Sequence, residues 1–195
     1  MQNPYSIFPE IESSDLLLRK IKEEDLPDLL KIYSDKEAAK FFNTDNCHGD
    51  DFFYRTIERV RQALDFWNYS YLNKFFVRWA IVDKTSGVVI GTIEQFHRDS
   101  TEDPFTNCSL LRLDLRSDYE KEEAIKKILS TIIYESFDLF NCEMIVTKCF
   151  DGGVERKKAL LSLGFIESKE PLIGHDKTKY NGYYCLSKKY SWTSI

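Results

Sequence analysis

The segment from Cys108 to Phe150 constrains the fold more than any other stretch of the chain. It reads as an apolar strand (Cys108 to Leu115), a polar turn and helix start (Asp118 to Glu123), an apolar helical stripe, and a second strand (Met144 to Phe150). The stripe is Ala124, Ile125, Ile128, Leu129, Ile132, Ile133 and Phe137, at the three-and-four spacing of one helix face. Strand, packed helix and strand in that order predict a parallel βαβ crossover. A chain built around such a unit is neither all-helical nor all-β.

The flanking sequence predicts what the crossover joins. Leu16 to Ile21 is a first strand. Glu23, Glu24 and Asp25 open a helix whose Leu26, Leu29, Leu30 and Tyr33 share a face. Asp35 to Phe42 is a short helical piece, and Asp50 or Asp51 is expected to cap a longer helix carrying Phe53, Ile57, Val60 and Leu64. Val77 to Asp83 and Val88 to His97 form a hairpin across Lys84–Gly87, and Arg98 to Asn107 is a loop. After the crossover come a helix from Val154 to Leu163, ended by Gly164, and a last strand from Gly182 to Lys188. The expected fold is α/β: a mixed, largely antiparallel sheet with one parallel crossover, flanked by helices. At 195 residues it suits one domain over 1–195, with 1–14 as an irregular N-terminal segment.

Composition excludes several function classes. Net charge is -5, without the basic footprint of a nucleic-acid binder. No apolar run approaches the ~18 residues of a membrane span, and the first residues lack the basic-then-apolar pattern of a secretory signal. The five cysteines are odd in number and contain no CxxC, so neither a disulfide framework nor a zinc site is expected, and the location expected is cytoplasmic. Cys47-His48 is too little to make a metal site.

Four stretches together resemble the GNAT superfamily of N-acetyltransferases, of the ribosomal-protein alanine N-acetyltransferase type. They are LLLRKIKEEDLPDLLKIYSD, FVRWAIVDKTSGVVIGTIEQF, LLRLDLRSDYEKEEAIKKIL, and KKALLSLGF followed by YYCLSKK. The resemblance implies acetyl-CoA as cofactor and a primary amine, on a protein N-terminus or a small molecule, as acceptor. It implies that pantetheine pairs with the strand edge at Leu113 and Leu115 like an added strand. The pyrophosphate then lies on the crossover-helix entrance, formed by Lys121, Glu122, Glu123, Ala124 and Ile125. Gly153 and Lys157 follow from the next helix. There Arg156, Lys157 and Lys158 are either a reach toward the adenosine phosphate or a solvated helix face.

The chain departs from the family where the phosphates belong. The signature Gln/Arg-x-x-Gly-x-Gly/Ala falls on Glu120 to Ile125, so Glu123 and Ile125 stand at the small positions and Glu120 leads. Gly153 stands where the family has Asn, Arg156 where it has a small residue, and Leu160 where it often has tyrosine. Only 8 glycines occur in the chain, and none at this entrance. A phosphate 4 Å from a carboxylate costs about 4 kcal/mol at an effective dielectric near 20, although Lys121, Lys126 and Lys127 offset part of it.

For catalysis the resemblance implies a carboxylate base, with Glu94 and Asp114 available, and an acid for the thiolate, with Tyr183 or Tyr184 available. Strand alternation sets Glu94 beside Thr92 and Phe96, opposite Ile93 and Gln95, without saying which face is the cleft. Two functions follow: acetyl-CoA-dependent N-acetylation, or a GNAT-fold binding or regulatory protein that has lost normal CoA binding. The resemblance implies that the aromatic region from Thr44 to Lys74, with Phe52, Phe53, Tyr54, Phe66, Trp67, Tyr69 and Tyr71, overlies the acceptor side. A pocket, the face of a homodimer and ordinary core packing all explain it.

Overall fold

A computed structural model describes residues 3–189. In chain order the elements are β1 (Ile11–Glu12), β2 (Leu16–Lys20), α1 (Leu26–Tyr33), α2 (Lys36–Ala39), α3 (Ile57–Leu72), β3 (Val77–Asp83), β4 (Val89–Arg98) and β5 (Cys108–Leu115). They continue with α4 (Glu122–Leu139), β6 (Met144–Lys148), α5 (Val154–Ser162), β7 (Ile166–Glu167), β8 (Leu172–Ile173), β9 (Lys179–Tyr180) and β10 (Tyr183–Ser187). Eight strands form one sheet in the order β1-β2-β3-β4-β5-β6-β10-β7, and β8 and β9 pair separately. Every neighbour is antiparallel except β5 and β6, which are parallel and joined through α4. The mixed α/β architecture expected from the crossover is therefore present.

Two apolar layers cover the sheet. Ile125, Ile128, Leu129, Ile132 and Ile133 of α4 pack with Leu111, Leu113 and Leu115 of β5 and Ile93 of β4. On the opposite face, α1 and α3 bury Leu29, Ile32, Tyr33, Val60, Leu64 and Trp67 against Ala80 and Val82 of β3. Strand alternation thus turns Glu94 and Thr92 toward α1 and α3, and turns Gln95 toward α4, where Ser136 donates to it at 3.0 Å. Gly91 permits the close approach of β4 to β5: a Cβ there would lie 2.5 Å from the Asp114 carbonyl oxygen.

Three local expectations are corrected. The long helix begins at Ile57, capped by Thr56, whose hydroxyl accepts from the Arg59 amide at 3.2 Å. Asp50 and Asp51 instead accept from the amides of Phe52 and Phe53, both at 2.9 Å, and Phe52 has a φ of 56°. These Asx turns compete with helix and leave Phe53 outside it. The second helical piece is one turn, Lys36–Ala39, because Phe41 and Phe42 continue only in tight i→i−3 turns. The N-terminal segment is not wholly irregular either: β1 pairs with β2, and Trp79 donates through Nε1 to the Pro9 carbonyl at 2.7 Å. Among the described residues no helix is long and apolar enough to cross a membrane.

Candidate functional site

On the α1/α3 face, the sheet carries a buried charged network. Arg78 of β3 donates through Nη2 to Glu94 at 2.7 Å, and through Nη1 to Asp114 at 3.0 Å, Thr92 at 3.0 Å and Tyr33 at 2.8 Å. Arg112 of β5 donates to the other Glu94 oxygen at 3.0 Å. The structure thus brings Glu94 and Asp114 together, around a shared guanidinium. Burial alone would raise the Glu94 pKa, but Arg78 and Arg112 outweigh it and hold the carboxyl below its ordinary range. A carboxylate held this way is charged and saturated, which makes it a poor base. The Arg78 guanidinium also lies 4.6 Å from the Trp67 ring centroid, so the aromatic face completes its seat.

Tyr183 sits apart from this pair, in a second network. Its hydroxyl donates to Asp45 at 2.9 Å, and Lys148 Nζ reaches both oxygens of Asp45 at 2.8 and 2.6 Å. Burial, with the Asp45 charge next in importance, pushes the Tyr183 phenol well up, so its proton is tightly held. Arg112 donates through Nη2 to the Asp45 carbonyl at 2.7 Å, so one residue of the loop before α3 is fastened to β5, β6 and β10. Tyr184 points to the other face and packs in the α4 layer.

Above both networks opens a cleft of ≈ 1050 Å³. Phe52, Tyr54, Phe66, Trp67 and Phe96 wall it, so the aromatic region does contribute a pocket. The chain's three histidines, His48, His97 and His175, all line it, which no spacing in the sequence indicated. Cys47 also lines it and donates its thiol to the Asp45 carbonyl at 3.4 Å.

The cofactor residues that the resemblance implies lie where β5 and β6 part. Their last ladder pair is Leu111 with Thr147, so Arg112 to Leu115 diverge from β6. The Leu113 carbonyl there is the group an added strand would use. It already accepts from Nη1 of Arg156 at 2.9 Å, and the same nitrogen reaches the Phe41 carbonyl at 3.2 Å. Arg156 completes its set with two parallel bonds to Glu120, both 2.7 Å, from Nε and Nη2. The two side chains are 4% and 7% exposed. Arg156 is therefore neither on a solvated helix face nor reaching outward; it fills the gap between the strands.

The helix entrance is also engaged by the chain's own groups. The Glu122 amide, first in α4, donates to the Glu155 carboxylate at 3.2 Å, and that bond leads the causes that lower the Glu155 pKa. Lys121 is the exposed N-cap, Ala124 is half-buried and Ile125 is fully buried in the core. Glu123 is exposed and pairs with Lys126 at 3.1 Å. Leu115 is buried under α4. Gly153 caps α5, and a Cβ on it would meet Cys149 Sγ at 3.1 Å. Lys157 is exposed and pairs with Glu167 at 2.8 Å. These residues do not fit acetyl-CoA as placed: its strand edge and its gap are held by the buried Arg156 and Glu120, and the first amide of its anion seat donates to Glu155, a half-exposed carboxylate that also pairs with Lys158 at 3.2 Å. Single residue types gave no sign of this, since Glu120 and Arg156 are 36 positions apart.

Known proteins resemble this chain in sequence or in fold. YoaA of Bacillus subtilis strain 168, an uncharacterised N-acetyltransferase, is 20% identical over 164 residues, covering 82% of this chain and 84% of its own. The ribosomal-protein-S5-alanine acetyltransferase of Vibrio fischeri superposes with a TM-score of 0.64 at 20% identity, over 92% of this chain and 96% of that one. Mycobacterium smegmatis RimJ, solved in complex with CoA-disulfide, gives a TM-score of 0.67 at 10% identity, over 89% and 82% respectively. At those identities the two structures establish likeness of fold. The acetyltransferase (GNAT) domain profile matches residues 15–166, most of the chain, and the protein belongs to that family.

Proposed function

We propose that this chain is a binding protein built on the GNAT fold, which does not load acetyl-CoA in the family's manner. Its working site is the cleft over Arg78, Glu94 and Arg112. The observation that carries this reading is the Arg156 guanidinium between β5 and β6, bonded to the Leu113 carbonyl and neutralised by Glu120. Separating that cation from its partner costs about 3–5 kcal/mol, the figure for a broken buried pair, before any cofactor contact forms. The cleft needs no such rearrangement, being open with aromatic walls and a polar floor.

A calorimetric titration of the purified protein with CoA and with acetyl-CoA, to millimolar ligand, tests the reading. The expected result is no heat and no change in melting temperature. Saturable binding of either compound at micromolar concentration overturns it.

The second reading is acetyl transfer from acetyl-CoA to a primary amine, on a protein N-terminus or a small molecule. The family match over residues 15–166 and the divergence of β5 from β6 after Leu111 favour it. Under it, Arg156 and Glu155 leave their seats when the cofactor arrives, and the same titration shows binding.

A further inference from the structure

We infer that Glu120, Arg156 and Glu155 form a built-in occupant of the groove that the family gives to its cofactor, doing the bridging that a bound molecule would do. This rests on the reading that the groove does not take up CoA.

A molecule lying in this groove has two polar tasks. It must donate a hydrogen bond to the diverging edge of β5, and it must set an anion on the first amides of α4. Arg156 performs the first at the Leu113 carbonyl, 2.9 Å away. Glu155 performs the second at the Glu122 amide, 3.2 Å away. Both come from consecutive residues of α5, so one short helix delivers a cation into the gap and an anion to the helix end.

Glu120 makes the arrangement neutral. Arginine at 156 without it is a buried, unpaired cation, and glutamate at 120 without arginine is a buried, unpaired anion. Four of the five guanidinium N–H groups have named acceptors: two on Glu120, one on Leu113 and one on Phe41. Arg156 therefore ties α5, β5, the segment after α2 and the turn before α4 to one another. The departures from the family at positions 120 and 156 form one unit rather than two separate losses.

The test compares four proteins: the wild type, Glu120→Gln, Arg156→Ser, and the double variant. Each single change lowers the melting temperature, and the double variant loses less than the sum of the two. Additive losses overturn the inference, because the residues then do not act as a unit. The double change is then placed on Glu123→Gly/Ile125→Ala, which restores small residues at the helix entrance, together with Glu155→Ala, which frees the Glu122 amide. This fivefold variant is titrated with CoA, its fold being checked by circular dichroism. The expected result is saturable heat and a raised melting temperature with CoA in the fivefold variant and neither in the wild type. A folded fivefold variant that ignores CoA overturns the inference and leaves the proposed function standing. Heat in the wild type overturns the proposed function itself. If the fivefold variant does not fold, the coupling between positions 120 and 156 in the wild-type background decides.

Discussion

The Arg156 guanidinium meets the Leu113 backbone carbonyl at 2.9 Å, at the point where β5 has left β6 and has an edge to offer. A buried carbonyl without a partner costs about 1–3 kcal/mol, so the divergence is tolerated because α5 supplies a donor. The gap is thus a finished piece of structure with its own polar satisfaction.

One consequence concerns Glu123, the residue most offensive to a phosphate in the sequence. It is exposed and touches only the surface, pairing with Lys126. Glu123→Gly alone is expected to leave CoA binding absent, since Arg156 still fills the gap. Its stability cost should be near the glycine penalty of ~0.5–1 kcal/mol. Calorimetry and denaturant unfolding measure both, and a gain of CoA affinity from this single change contradicts the assignment.

Arg78 should be the most sensitive position on the cleft floor. Arg78→Ala leaves Glu94 and Asp114 without their shared cation, each almost fully buried. Breaking such a pair costs about 3–5 kcal/mol, which lowers the melting temperature by roughly 6–20 °C for a chain of this size. A loss below ~1 kcal/mol would show that the network is hydrated or rearranged.

Acid should weaken the fold through Glu94. Its folded-state pKa lies below the ordinary value of 4.5, because Arg78 and Arg112 outweigh the upward push of burial. Its stabilising contribution is complete above the ordinary range and is lost as pH falls through the folded value. Unfolding free energies measured from pH 7 downward should fall below about pH 4.5, and Glu94→Gln should flatten that limb while lowering stability at neutral pH. An unchanged acid slope in Glu94→Gln would assign the effect to other carboxylates, such as Asp103 beside Arg98.

The start of α3 can be checked by two substitutions. Thr56→Ala removes the side chain that caps the Arg59 amide and should cost ~1 kcal/mol. Asp51→Ala removes only a turn contact to the Phe53 amide and should leave α3 unaltered. Equal losses of helix from both, read by amide hydrogen exchange, would place the helix start nearer Asp51.

Much of the frame was legible because periodicity is local. The crossover was readable from Ile125 to Phe137 and its flanking strands, and the hairpin from Val77 to His97, since each pattern lies within one element. The helix start at Asp50 or Asp51 failed because helix capping and Asx turns use the same residue types. Short pairings such as Ile166–Glu167 with β10 carry too few residues for any pattern.

The candidate site divides in the same way. Strand alternation on its own placed Glu94 with Thr92 and opposite Gln95, but only the α1/α3 layer shows which face is the cleft. The sequence by itself determined that residues 120, 123, 125 and 156 depart from the family at the cofactor positions. Only the tertiary structure decided that two of those departures meet. Arg156 enters the gap rather than solvent because Glu120, 36 residues earlier, is carried there by the turn before α4. A cation is buried only where the fold delivers a matching charge, and that delivery is a property of the assembled sheet and helices, not of any single segment.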